Sequence, residues 1–148
     1  MNKFISALFI TLIMSLPAMA IEPPEGAKIP YQGTNRAYTG MQFNEVLEAY
    51  GLELSVEAAK GLPPCFARVL GDIIDFRFGD SMVCSPSQYH SILAAYGLEL
   101  TPENVGSKLA KMDVYATVQD GDVIFNDERL FMWSSDWTII LGAYSKAE

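Results

Sequence analysis

The sequence predicts a mainly α fold: a small helical domain built on a duplicated helix-turn-helix unit, tied by one disulfide, with room for a small β-hairpin at the C-terminal end. Three observations carry that expectation. The string Ala49-Tyr50-Gly51-Leu52-Glu53-Leu54-Ser55 recurs as Ala95-Tyr96-Gly97-Leu98-Glu99-Leu100-Thr101, 46 residues later. Each copy follows apolar residues spaced by three and four, the signature of one helical face. Half of the 148 residues are hydrophobic and 19% are charged, a balance that supports a packed core and excludes intrinsic disorder.

Residues 1–20 read as an export signal. Lys3 supplies the charged start, Phe4 to Leu16 the apolar stretch, and Ala18-Met19-Ala20 a small-x-small cleavage site. The apolar run is shorter than the roughly 20 residues a membrane-spanning helix needs. Residues 21–38, with Pro23, Pro24, Gly26, Pro30 and Gly33, read as an extended N-terminal arm. Residues 39–148 then form a single globular domain.

Within that domain the first helix carries Phe43, Val46, Leu47 and Tyr50, and its counterpart carries Tyr89, Ile92, Leu93 and Tyr96. Gly51 and Gly97 fall where a helix stops, since glycine takes the left-handed C-terminal conformation without a Cβ clash. Ser55 and Thr101 are N-caps for the helices that follow, and Pro102 suits the first helical position. Between the copies, Phe66, Val69, Leu70, Ile73 and Ile74 give a helical stripe from Pro64 to Phe78, with Cys65 in its first turn and Gly79 ending it. Ser85-Pro86 caps the next helix. In the tail, Val105, Leu109, Met112 and Ala116 keep helical spacing and Asp120-Gly121 marks a turn. Residues 122–133 suit a hairpin, and the apolar run Trp137 to Tyr144 fits strand or buried helix equally.

Cys65 and Cys84 are the two cysteines of the chain. An even count in an exported protein reads as one disulfide. By the loop-entropy argument it is worth on the order of 3 kcal/mol.

Charge and motif content narrow the function. Ten basic against eighteen acidic residues give a net charge of −8. That balance lacks the basic stripe a nucleic-acid binder needs and disfavours anionic lipid. His90, the one histidine, has no nucleophile motif beside it and reads as a hydrogen-bonded helix residue. Glu53 and Glu99 hold equivalent repeat positions; brought face to face they would be a glycosidase-like carboxylate pair, and otherwise they are exposed link residues. Asp120, Asp122, Asp127 and Glu128 do not follow the calcium-loop pattern and read as turn acids. Trp133, Trp137 and Tyr144 are either core or a contact patch. Nothing in this pattern calls for a metal or a cofactor.

Cys65, Gly71, Cys84 and Pro86, with Pro102 opening the later helix and Thr39-Gly40 the first, resemble the Rap/Tai family of periplasmic immunity proteins against type VI secretion amidases. The resemblance spans about Thr39 to Met112. Against the family pattern, this chain lacks an outer cysteine pair, has Arg68 where a tyrosine is usual, and has no counterpart for the segment from Asp120 onward. The resemblance implies a helical protein that binds a secreted peptidoglycan amidase and plugs its cleft with a rigid loop. The loop would be Gly79 to Ser85, with Asp80, Ser81 and Met82 meeting the partner. The expectation is therefore a non-catalytic protein-binding protein, periplasmic or secreted. A periplasmic hydrolase using Glu53 and Glu99, or an assembly component of an envelope complex docking through the arm, are the alternatives.

Overall fold

The computed structural model describes residues 19–32 and 35–148, so the proposed export signal lies outside the described residues except for Met19 and Ala20. The fold is mixed α/β rather than mainly α: five short helices and eight strands give 30% helix and 21% strand among the described residues.

The helices are α1 (Gly40–Ala49), α2 (Val56–Ala59), α3 (Pro86–Ala95), α4 (Pro102–Lys108) and α5 (Ser134–Leu141). The strands are β1 (Ala67–Leu70), β2 (Ile73–Phe76), β3 (Val83–Cys84), β4 (Leu98–Glu99), β5 (Ala116–Gln119), β6 (Asp122–Phe125), β7 (Leu130–Phe131) and β8 (Ser145–Lys146). They pair only in twos, all antiparallel: β1 with β2, β3 with β7, β4 with β8, β5 with β6.

The helix expected from Pro64 to Phe78, by periodicity and by the resemblance alike, is the β1–β2 hairpin. Gly71-Asp72 sits at its centre as a two-residue turn, with Gly71 at φ +63°. Glycine first in such a turn is the II′ pattern whose twist matches paired strands. Ala67, Val69, Ile74 and Phe76 then face inward by alternation, and Arg68, Leu70, Ile73 and Asp75 face outward. Three of the stripe residues, Val69, Ile73 and Ile74, are β-branched and better suited to a pleated surface than to a helix. The hairpin expected over residues 122–133 lies earlier in the chain: β6 folds back on β5 across Asp120-Gly121, both at positive φ. β7 leaves β6 and pairs with β3 instead. Helix α4 stops at Lys108, so Met112 and Ala116 are not on it, and the run from Trp137 is helical to Leu141.

The repeat is real and runs further than the duplicated string. Thr39 and Ser85 cap α1 and α3, each accepting from the backbone N–H three residues on, while Gln42 and Gln88 accept from the caps' own N–H. Gly51 and Gly97 stand at φ +82° and +84° after their helices, where a Cβ would be strained. Ser55 and Thr101 cap α2 and α4. Each unit then ends in a hairpin held at its base the same way: Arg77 N–H donates to Phe66 O at 3.0 Å, and Asn126 N–H to Tyr115 O at 3.1 Å. A third helix follows the same register. Counting from Thr39, Ser85 and Trp133, the fourth residues are Phe43, Tyr89 and Trp137, the seventh Val46, Ile92 and Ile140, and the eighth Leu47, Leu93 and Leu141, all buried. Trp133 has no oxygen to cap with; only the reverse half of the box is made, Asp136 accepting from Trp133 N–H at 3.0 Å.

The core is one cluster, centred where these helices meet. The Phe43 and Tyr89 rings pack on Trp137 at 4.2 and 5.2 Å between centres. The arm lies against this body: Ala20 bridges to Ser145, Ala37 to Trp133, and Ile21, Ile29 and Tyr31 pack on the core. No described helix is long and apolar enough to cross a membrane.

Candidate protein-binding interface

The disulfide is present. Cys65, in the turn before β1, is bonded to Cys84 at the end of β3, with Cα atoms 6.0 Å apart. It fastens the first hairpin to the start of α3, and the segment from Phe78 to Val83 is strung between those points. Inside that segment Met82 N–H donates to Tyr38 O at 2.7 Å, and Ser81 Oγ approaches Ala37 O at 3.4 Å. Tyr89, fully buried on α3, holds the far side. Its hydroxyl accepts from Cys84 N–H at 3.1 Å and donates to Leu130 O at 2.5 Å, so one side chain clamps both β3 and β7. Burial pushes the Tyr89 hydroxyl up to about 12, so it stays protonated and able to donate.

The three residues expected to meet a partner are divided by this arrangement. Asp80 is open to solvent, its side chain 87% exposed, and its 3.8 Å approach to Arg77 is too long and too wet to hold it. Ser81 is exposed as well. Met82 is turned into the core, 3% exposed, where it anchors the loop.

Aromatic side chains flank the loop: Trp133, a candidate from the sequence, and Phe131 and Phe78, which the sequence does not single out for contact. Val83 and Phe131 are paired across β3–β7, with Cys84 and Leu130 behind them. Alternation turns Phe131 and Trp133 outward and Met132 inward, and the accessibilities agree: 52%, 47% and 2%. On the other side of the loop stands Phe78, 73% exposed. It borders a groove of about 420 Å³ lined by Ala67, Arg68, Phe76, Gly79 and Asp80, among others. The result is a tied loop with exposed acid and hydroxyl groups, edged by three partly exposed aromatics, rings of the kind that bury large area with little entropy to lose. Trp133, Trp137 and Tyr144 thus divide, Trp133 to the surface and the other two to the core.

The other candidates lie apart. His90 is half-buried, its ring stacked 4.6 Å from Phe125, its Nδ1 3.0 Å from the Tyr144 hydroxyl. Tyr144 in turn meets the Tyr115 hydroxyl at 2.6 Å. Burial lowers the His90 pKa and raises those of both tyrosines. These contacts tie α3 to the second hairpin and the tail. Glu53 is exposed beside Glu48 in a shallow depression, whereas Glu99 is paired with Ser145 in the β4–β8 ribbon. Asp120, Asp122, Asp127 and Glu128 are exposed, and no group of three metal-ligating side chains comes together among the described residues.

Comparison of the chain with protein families, with curated proteins and with solved structures finds no match.

Proposed function

We propose that this chain is a non-catalytic protein-binding protein working outside the cytosol, and that it grips its partner with the Phe78–Val83 loop and the outward face of the extended Phe131–Trp133 segment. The observation that carries the reading is the placement of Phe131 and Trp133. They are alternate residues of one extended segment, Phe131 ending β7 and Trp133 bridging to Ala37 at the cap of α5, both about half exposed and beside a loop tied by the disulfide and Tyr89. A loop fixed in advance loses less entropy on binding. The excess of acidic over basic residues favours a basic partner and speeds its capture. A secreted cell-wall amidase is the partner class that the resemblance to immunity proteins implies.

The test begins with capture of a partner from an extract of the cell envelope, followed by titration against the purified partner. Replacing both Phe131 and Trp133 by Ala should weaken binding by at least tenfold, with a smaller loss of thermal stability than a core truncation because about half of each side chain is already in water. Undiminished affinity in that variant overturns the reading.

A further inference from the structure

We infer that removal of the leader creates a structural N-terminus: the α-ammonium of Ile21 is received by the Tyr144 carbonyl and the Ser145 hydroxyl. The inference rests on the leader reading alone and not on protein binding. The Tyr144 half of this arrangement is already in place in the uncut chain. Ile21 N–H donates to Tyr144 O at 2.8 Å. The Ile21 side chain packs on the core, where first residues of a domain are more often frayed. Ala20, the residue on the leader side of the cut, sits directly across from Ser145.

Ser145 supplies the independent observation. It is 1% exposed, and its Oγ has no hydrogen-bond partner among the described residues. A buried hydroxyl left unpaired is unfavourable and calls for an explanation. Hydrolysis of the Ala20–Ile21 bond by a leader peptidase gives one. Water adds its hydroxyl to the Ala20 carbonyl carbon and a proton to the Ile21 nitrogen, which takes a second proton from solvent. One amide donor becomes three, while the backbone bridge partner of Ser145 departs. The first donor keeps Tyr144 O, and a second is freed toward Ser145 Oγ. A cavity of about 640 Å³ adjoins this point, lined by Met19, Ala20, Glu22, Lys146 and Glu148 among others. Cutting removes Met19 and Ala20 from its wall and leaves two carboxylates, against one lysine, to favour the new positive charge.

The full chain, produced with its leader and recovered from the exported fraction, tests this in two steps. Mass spectrometry should show a first residue of Ile21. The α-amine should then react with acetic anhydride at pH 7 at least tenfold more slowly in the native protein than in denaturant. Ser145→Ala, which removes one oxygen without adding bulk, should raise the native reactivity threefold or more at unchanged circular dichroism. A start other than Ile21, or equal reactivity in the native and denatured states, overturns the inference. Full protection in Ser145→Ala overturns the role of the hydroxyl.

Discussion

The indole of Trp137 lies 4.2 Å from the ring of Phe43, centre to centre, and both residues stand four positions after the cap of a helix. Tyr89, in the same position of α3, completes the set with its edge on the indole at 5.2 Å. The first and last helices of the described chain thus meet in the core through equivalent side chains. The loop beside Trp133 and Phe131 inherits its position from this contact, because Tyr89 also clamps β3 and β7.

Trp137 gives the first prediction. Trp137→Ala should cost about 3–5 kcal/mol, the range for emptying a large aromatic site in a core. Trp137→Phe should cost much less than its loss of volume suggests. The Trp137 Nε1 is buried without a partner among the described residues, and phenylalanine discards that donor. Urea unfolding of the two variants measures the difference; equal losses would sink the argument.

Gly40 is fixed by contact rather than by dihedral angle. A Cβ built there would stand 2.2 Å from the Phe66 carbonyl oxygen, a backbone atom that accepts from Arg77 N–H. Gly40→Ala should therefore push α1 off the first hairpin and cost several times the ~1 kcal/mol that alanine normally gains over glycine in a helix. Gly61→Ala, where nothing lies within 4 Å, is the control and should be near neutral. A comparison of melting temperatures settles it.

The parts of the fold legible in the sequence are those with local chemistry. Thr101-Pro102, Ser55 and the two glycines after Tyr50 and Tyr96 declare caps and stops that depend only on neighbouring atoms. The hairpin at Gly71-Asp72 is masked because Phe66, Val69, Leu70, Ile73 and Ile74 satisfy helical spacing while Ala67, Val69, Ile74 and Phe76 satisfy strand alternation; only the Gly-Asp turn and the β-branching separate the two. The third helix of the series escapes notice because its cap is a tryptophan and its matching residues differ in kind from those of the other two. Asp80 and Ser81 are exposed, as polar loop residues usually are. The burial of Met82 and the exposure of Phe131 and Trp133 follow from the β3–β7 pairing, a contact between distant segments that no local pattern reveals.

The disulfide carries the next prediction. Cys65 and Cys84 are 19 residues apart, and joining them restrains the unfolded chain by about 3 kcal/mol in the loop-entropy account. Replacing both by Ser should lower stability by about that amount. It should also loosen the Phe78–Val83 segment, so that hydrogen exchange of the Met82 amide, bonded to Tyr38 O, speeds up more than exchange in α5. Uniform acceleration across the protein would show that the bond stabilises the whole without tying the loop.

The acid limit of stability follows from His90. Its ring is half-buried against Phe125 and reaches the Tyr144 hydroxyl, and burial holds its pKa below the 6.5 of an exposed histidine. Between the lowered folded value and 6.5, the unfolded chain binds more protons than the folded one. Stability from the neutral ring is therefore complete above pH 6.5, and it is lost as the pH falls through the folded pKa. In the protonated ring Nδ1 is a donor, so the Tyr144 hydroxyl can only accept from it. Tyr115, 2.6 Å away, is the partner left for the hydroxyl's own proton. The urea midpoint of the wild type should fall between pH 7.5 and pH 5.5. His90→Phe, which keeps the stack on Phe125 but cannot titrate, should flatten that slope while starting from a lower stability. The same slope in both proteins would assign the acid sensitivity to carboxylates and remove His90 from it.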